Sequence, residues 1–416
     1  MTARIELALC TLLLFVGVKP AAAIELSDYV GNYRLGSDHI LAIAEWELDP
    51  QAPRVLAFTD LRSGRIGRLN PAGEDEFSLP SALLSGDEAA RLKFLRANGV
   101  VTAAVFAEVN KAPRRAARVA TRAHEVTIET GNTRLKGTLS LPPGKGPFPA
   151  VVMVPAGALG RTAVAIFPNF FLSRGFAVLA YDRRKETAAL ETYAADAVAA
   201  VELLRGRAEI DARRVGLWGS SQGGWLSLVA AGASPSVAFV IDYAGMLVPA
   251  WKQESYRIAA EGADRGASLE TVQHAVAFHE RMMRVAASGE GWSEIERLLA
   301  EKPAPAWHAL VYKPSSLAEL QRVWRDDFSF DPRPFAARVR QPVLALFGAL
   351  DHSTPIESAA HLAHALRPSG KLTVGFFPTG NHALLDAKTG SNSEIPSLTH
   401  FAPGLLDEMS RWLRIR

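Results

Sequence analysis

The chain has 416 residues, 48% hydrophobic and 21% charged, enough apolar material for one large domain and a smaller one. Its 46 Lys+Arg against 43 Asp+Glu give a formal net charge of +3, and because these charges are scattered they leave no nucleic-acid footprint. The single cysteine, Cys10, sits in the N-terminal segment, so the rest of the chain has no disulfide, thiolate metal site or cysteine nucleophile.

In chain order, the N-terminus MTARIELALCTLLLFVGVKPAAA combines a positive Arg4, an apolar run from Leu7 to Val18 and a small-residue site at Ala21-Ala22-Ala23. This predicts a secretory leader over residues 1–23, cut near Ala23, and a periplasmic or secreted product. The apolar run is shorter than the ~20 residues of a membrane span, so no stable membrane insertion is expected after cleavage. A retained N-terminal anchor is the rival reading.

Residues 24–111 alternate short apolar runs (Ile40–Ile43, Val55–Phe58, Val100–Val109) with Gly, Pro, Asn and Asp turns. They predict a small β-rich domain, with a short helix near Ser85–Ala97. The basic, Ala-rich stretch that follows predicts a solvated linker over residues 112–123.

From His124 the pattern changes. "EVTIET" and "KGTLSLP" predict two strands joined at Gly131-Asn132. "PAVVMVPAG", "AVLAYD", "RVGLWG", "AFVIDYAG", "PVLALFG" and "LTVGFFP" are apolar on both faces and are separated by helical segments. Such runs mark a mostly parallel, doubly wound α/β sheet covered by helices on both sides. The long interval after "VIDYAG" contains plainly helical spacing, which predicts a helical cap inserted at about 247–337 in a catalytic domain spanning 124–416.

Gly219-Ser220-Ser221-Gln222-Gly223 fits G-x-S-x-G between a buried strand and a helix, with Ser221 as the exposed nucleophile. A serine hydroxyl needs a positioned base, and that base needs an orienting carboxylate. Asp351, beyond "VLALFG", and His382, beyond "VGFFP", both follow buried strands at the sheet edge where open α/β sheets carry their chemistry.

These phrases, with "KGTLSLPPGKGPFPAVVMVPAG" and "FLSRGFAVLAYDRR", resemble the α/β-hydrolase superfamily over residues 124–416. The similarity is to bacterial serine esterases of the dienelactone-hydrolase and prolyl-oligopeptidase-like branches. It implies an α/β-hydrolase fold, Ser221 as nucleophile, His382 as general base then acid, and Asp351 as the orienting carboxylate. Gln222 then supplies one backbone N–H of the oxyanion hole, and Gly157, or alternatively Ala158, the second. Relatives usually read His-Gly-x-Gly where this chain reads Pro155-Ala156-Gly157-Ala158, and Pro155 has no N–H to offer.

Asp242, also at a strand end, is the rival triad acid. His352 adjoins Asp351 and cannot easily fold back on it. His361 and His364 predict a solvated helix face with no third ligand, so neither metal nor cofactor is expected. His274 and His279 of the cap are expected at the surface, a substrate contact being the open alternative. Asp182 is expected to stabilise a turn. Trp251, Trp292, Trp307, Met282 and Met283 are expected as cap core, with pocket lining as the functional alternative. The expectation is an exported serine hydrolase acting on a small-molecule carboxylic ester. A prolyl-oligopeptidase-like peptidase or amidase and a catalytically inactive binding protein are the alternatives.

Overall fold

The computed structural model describes residues 25–47, 53–156, 161, 166–185 and 188–415. The expected leader and the oxyanion candidates Gly157 and Ala158 lie outside them.

In Glu88–Ala97, Ala90, Leu92 and Phe94 are buried while Arg91 and Lys93 are exposed, the two-residue period of a half-buried strand. The helix expected near 85–97 is therefore a strand, β6. It belongs to an N-terminal barrel of β1 (Gly31–Arg34), β2 (Ile40–Trp46), β3 (Val55–Asp60), β4 (Ile66–Gly73), β5 (Glu76–Pro80), β6, β7 (Val100–Glu108) and β8 (Arg114–Arg118), closed in that order. The expected linker at 112–123 is corrected by β8, which pairs with β7 and with β1 (Tyr33 opposite Arg118). Only Ala116 of β8 is buried, so its arginine-rich sequence does not look like a strand. Closure removes the exposed edges that would template aggregation. The interior is aromatic, with Tyr29, Tyr33, Phe58, Phe77, Phe94 and Phe106 in one cluster.

The second body is an eight-stranded sheet of β9 (Arg122–Thr130), β10 (Thr133–Leu141), β11 (Phe148–Val154), β12 (Ala177–Tyr181), β13 (Ile210–Ser220), β14 (Val240–Tyr243), β15 (Val343–Gly348) and β16 (Leu372–Phe377). Its order is β16-β15-β14-β13-β11-β12-β10-β9. β9 and β10 are antiparallel and β11–β16 run parallel, as in the doubly wound architecture expected. Helices α1 (Ile166–Ser173) and α10 (Leu405–Leu413) cover one face; α2 (Leu190–Arg205), α3 (Gln222–Ala233) and α9 (Glu357–Leu366) cover the other. β14 and β15 are buried throughout, which explains their lack of polar alternation.

Helices α4 (Ala250–Asp264), α5 (Leu269–Ser288), α6 (Trp292–Leu299), α7 (Leu317–Val323) and α8 (Arg333–Ala336) lie between β14 and β15. The first four build their own core around Met282, Met283, Ile295 and Trp307. Trp251 and Trp292 pack against that core, so these two tryptophans, Trp307, Met282 and Met283 are all packing residues of the cap. His279 is not at the surface. It is buried, its Nε2 lies 3.1 Å from the Trp251 carbonyl, and burial lowers its pKa.

Barrel and sheet share one apolar cluster in which Ile40, Ile66 and Leu83 meet Phe167, Phe170 and Phe401. Backbone bonds stitch the seam: Ile66 N–H to the Thr399 carbonyl at 2.9 Å, Leu83 N–H to Leu398 at 2.6 Å and Phe401 N–H to Gly64 at 2.9 Å.

Candidate active site

The turn from β13 into α3 is shaped by what cannot fit there. A Cβ on Gly219 would lie 2.1 Å from the Gly223 carbonyl oxygen, and one on Gly223 would lie 2.4 Å from that of Val154. Between them Ser221 has φ 52 and ψ −123, a conformation that costs a non-glycine residue of order 1–3 kcal/mol and persists only where surroundings enforce it. The enforcing contacts are Ser221 N–H to the Tyr243 carbonyl at 2.8 Å and Gly224 N–H to the Ser221 carbonyl at 2.9 Å. Ser221 caps α3, and Gln222 begins it, so the Gln222 N–H belongs to a first turn whose donors find no acceptor within the helix. The Gln222 side-chain oxygen accepts from Arg183, whose guanidinium lies 3.8 Å from the Tyr193 ring centroid.

Asp351 follows β15 and is 3% exposed. Its Oδ1 accepts from the backbone N–H groups of Ser353 and Thr354, both at 2.7 Å. The Thr354 hydroxyl in turn donates to the Ala244 carbonyl at 2.8 Å. From the cap, α4 holds the same loop: the Tyr256 hydroxyl donates to the Asp351 carbonyl at 2.7 Å and Gln253 Nε2 to Ser353 at 2.6 Å. His352 points to the cap as well, its Nδ1 3.1 Å from Asp264.

His382 follows β16, and its Nδ1 lies 2.9 and 3.0 Å from the two carboxylate oxygens of Asp351. Burial alone would lower the imidazole pKa. The Asp351 charge and hydrogen bond outweigh it, leaving the pKa above its ordinary 6.5. Asn381 shapes the loop by accepting at Oδ1 from the Ala383 and Leu385 N–H groups, each at 3.0 Å, and the Leu350 N–H ties the two loops by donating to Gly380 at 2.9 Å. The roles of Thr354, Tyr256 and Asn381 were missed from sequence. The Asp-x-Ser-Thr and Asn-His-Ala spacings are side-chain-capped turns that signal two of them.

Ser221 and His382 line one cavity of about 350 Å3, chiefly apolar. Ser221 and Gln222 line a second of about 190 Å3 on the cap side, with Trp225, Met246 and Phe328 in its wall. The carboxylate paired with His382 is Asp351 and not Asp242, whose Oδ1 is buried without a hydrogen-bond partner and whose pKa burial pushes up to about 7. Asp182 pairs with Arg161 at 3.1 Å instead. Among the described residues, no group of three or more His, Cys, Asp or Glu side chains could hold a metal ion, and no helix is long and apolar enough to cross a membrane.

The sequence and the fold have counterparts among known proteins. The sequence is 24% identical over 273 residues to acylamino-acid-releasing enzyme of Rattus norvegicus, covering 61% of this chain and 31% of that one. It is 24% identical over 296 residues to Esterase EstD of Thermotoga maritima, covering 67% of this chain and 65% of that one. The match thus spans less than two thirds of either relative. In structure, it is similar to dipeptidyl peptidase 4 of Porphyromonas gingivalis, with a TM-score of 0.47 at 14% identity over 92% of this chain and 49% of that one. The model of the X-Pro dipeptidyl-peptidase (S15) family matches residues 130–383, more than half of the sequence. The chain is an α/β-hydrolase-fold serine hydrolase and belongs to the X-Pro dipeptidyl-peptidase (S15) family.

Proposed function

We propose that the protein is an exported serine hydrolase that cleaves carboxylic esters through an acyl-enzyme. The observation that carries the reading is the His382–Asp351 pair, 2.9 Å apart, in a loop that shares a cavity with a serine held at φ 52. Asp351 fixes the imidazole so that Nε2 is the basic nitrogen. His382 takes the Ser221 proton as Oγ bonds to the ester carbonyl carbon. The backbone N–H groups of Gln222 and Gly157 receive the oxyanion. His382 then gives that proton to the departing alcohol oxygen. Water, deprotonated by the same imidazole, attacks the acyl-enzyme, and Ser221 is regenerated with release of the acid.

A peptidase reading has support from the family match and from the name of the rat relative. Removing dipeptides from a free N-terminus calls for a carboxylate to receive the ammonium group. Neither cavity at Ser221 has an acidic side chain among its described lining residues, which favours esters. The test compares a chromogenic ester with a matched Xaa-Pro anilide. The ester is expected to show at least 100-fold higher kcat/KM, with both activities lost in Ser221→Ala. Faster anilide turnover would favour the peptidase, and undiminished turnover by Ser221→Ala would refute the nucleophile. Export is proposed from the leader pattern alone, and mass spectrometry of the N-terminus of protein recovered from the cell exterior or periplasm tests it.

A further inference from the structure

The larger cavity at Ser221 is built by two bodies. Trp46, Ile66 and Leu83 come from the barrel; Phe167, Leu385 and Phe401 come from the catalytic domain. Ile66 and Leu83 are buried and held by backbone bonds to Thr399 and Leu398 at 2.9 and 2.6 Å, so this wall is fixed in place. Trp46, at the end of β2, is only partly buried.

Among its described lining residues there is no Asp, Glu, Lys or Arg. The Tyr243 hydroxyl is already committed to the Ala383 carbonyl at 2.6 Å. A charged group entering here would lose its hydration with no opposite charge to replace it, at a cost of several kcal/mol. At about 350 Å3, the space is at the small end of ligand sites, which run from ~300 to ~1,000 Å3. It suits one compact apolar group such as a one- or two-ring aryl.

Which half of the ester enters follows from proton transfer. The leaving oxygen must take its proton from His382, so the leaving group departs on the imidazole side of Ser221. His382 lines the barrel-side cavity, whereas Gln222, the oxyanion donor, lines the cap-side cavity of about 190 Å3. We infer that the N-terminal barrel completes a binding site for the apolar alcohol half of the ester, and that the smaller cap-side cavity takes the acyl half. This rests on the ester-hydrolase reading. The covalent step is balanced: the Ser221 Oγ–carbonyl carbon bond forms, the carbonyl carbon–alcohol oxygen bond breaks, and the Ser221 proton leaves on the alcohol through His382.

Two measurements test the inference. The first compares Trp46→Ala with wild type on 1-naphthyl acetate, on methyl acetate and on methyl esters of lengthening acids; ratios on the same ester cancel its intrinsic reactivity. Trp46→Ala is expected to lower kcat/KM for 1-naphthyl acetate at least fivefold and to leave every methyl ester within twofold. A change along the acyl series in place of the naphthyl ester, or no change on either, would overturn the inference. The second titrates 1-naphthol, the alcohol product, into Ser221→Ala protein by calorimetry. Saturable binding weakened at least fivefold by adding Trp46→Ala is expected, as is weakening by Ile66→Phe, which fills the cavity from the fixed wall. Absent binding, or binding indifferent to both substitutions, would overturn the barrel site. Because this titration needs no turnover, 1-naphthol binding in a protein whose wild type hydrolyses no ester would uphold the site and reject the ester-hydrolase reading alone.

Discussion

The Tyr243 hydroxyl, at the end of β14, donates to the carbonyl of Ala383, 2.6 Å away, in the loop that carries His382. The backbone carbonyl of the same Tyr243 accepts from Ser221 N–H at 2.8 Å. One buried tyrosine therefore fastens both the nucleophile turn and the base loop, and burial holds its hydroxyl protonated by raising its pKa well above 10.0.

Tyr243→Phe keeps the ring and removes one bond, leaving a carbonyl unpaired at a cost of about 1–3 kcal/mol. The expected outcome is a lower melting temperature and a kcat reduced about tenfold with KM nearly unchanged, because the base loop loses its register while the cavity walls remain. Steady-state kinetics on one chromogenic ester checks this. A KM effect with intact kcat would contradict a role in positioning His382.

The base must be neutral to accept a proton, so kcat/KM is expected to rise with pH through a pKa above the ordinary 6.5, in keeping with the raised His382 value. Asp351→Asn removes the charge, the larger of the two causes that raise it, and leaves burial, which lowers it. The variant is expected to lose about three to four orders of magnitude in rate, and the acid limb of its residual profile should move to lower pH. A limb that stays in place would show that Asp351 does not set the imidazole charge.

Asp242 gives a stability prediction. Its carboxyl is packed so that a Cβ on Gly224 or Gly245 would lie 2.1 or 1.9 Å from Oδ1. Burial raises its pKa from 3.8 to about 7, with the Gly245 N–H opposing in part. The folded state thus holds this proton more tightly than the unfolded chain, and stability is lost as pH rises from about 4 through about 7. The near-isosteric Asp242→Asn removes that loss, worth up to ~4 kcal/mol. Thermal denaturation should show the variant more stable than wild type at pH 8 and no more stable at pH 4. Equal differences at the two pH values would contradict the protonation argument.

Much of the catalytic domain was legible because its central strands are buried on both faces: β11 and β15 are uninterrupted apolar runs, β14 is broken only by Asp242, and Gly-x-Ser-x-Gly sits where another buried strand meets a helix. The barrel was legible only as β-rich. β6 is mostly Ala, Arg and Leu, good helix formers, and its strand character comes from cross-strand pairing with β5 and β7. β8 is arginine-rich and becomes a strand through its pairing with β7 and with β1, which is distant in sequence. The buried histidine of the cap was readable: Ala275, Phe278, His279, Met282 and Met283 recur at helical spacing on one face. The barrel side of the cavity was not, because nothing local in Trp46, Ile66 or Leu83 records that they face the serine across a domain seam.

His382, held by Asp351, is expected to make Ser221 reactive. The most direct test is labelling by a fluorophosphonate, with the adduct located by peptide mass spectrometry and its rate followed in wild type and in His382→Ala. One adduct per chain is expected, on Ser221, forming at least 1,000-fold more slowly without the imidazole. Labelling elsewhere, no labelling of wild type, or an equal rate in the two proteins would contradict the account.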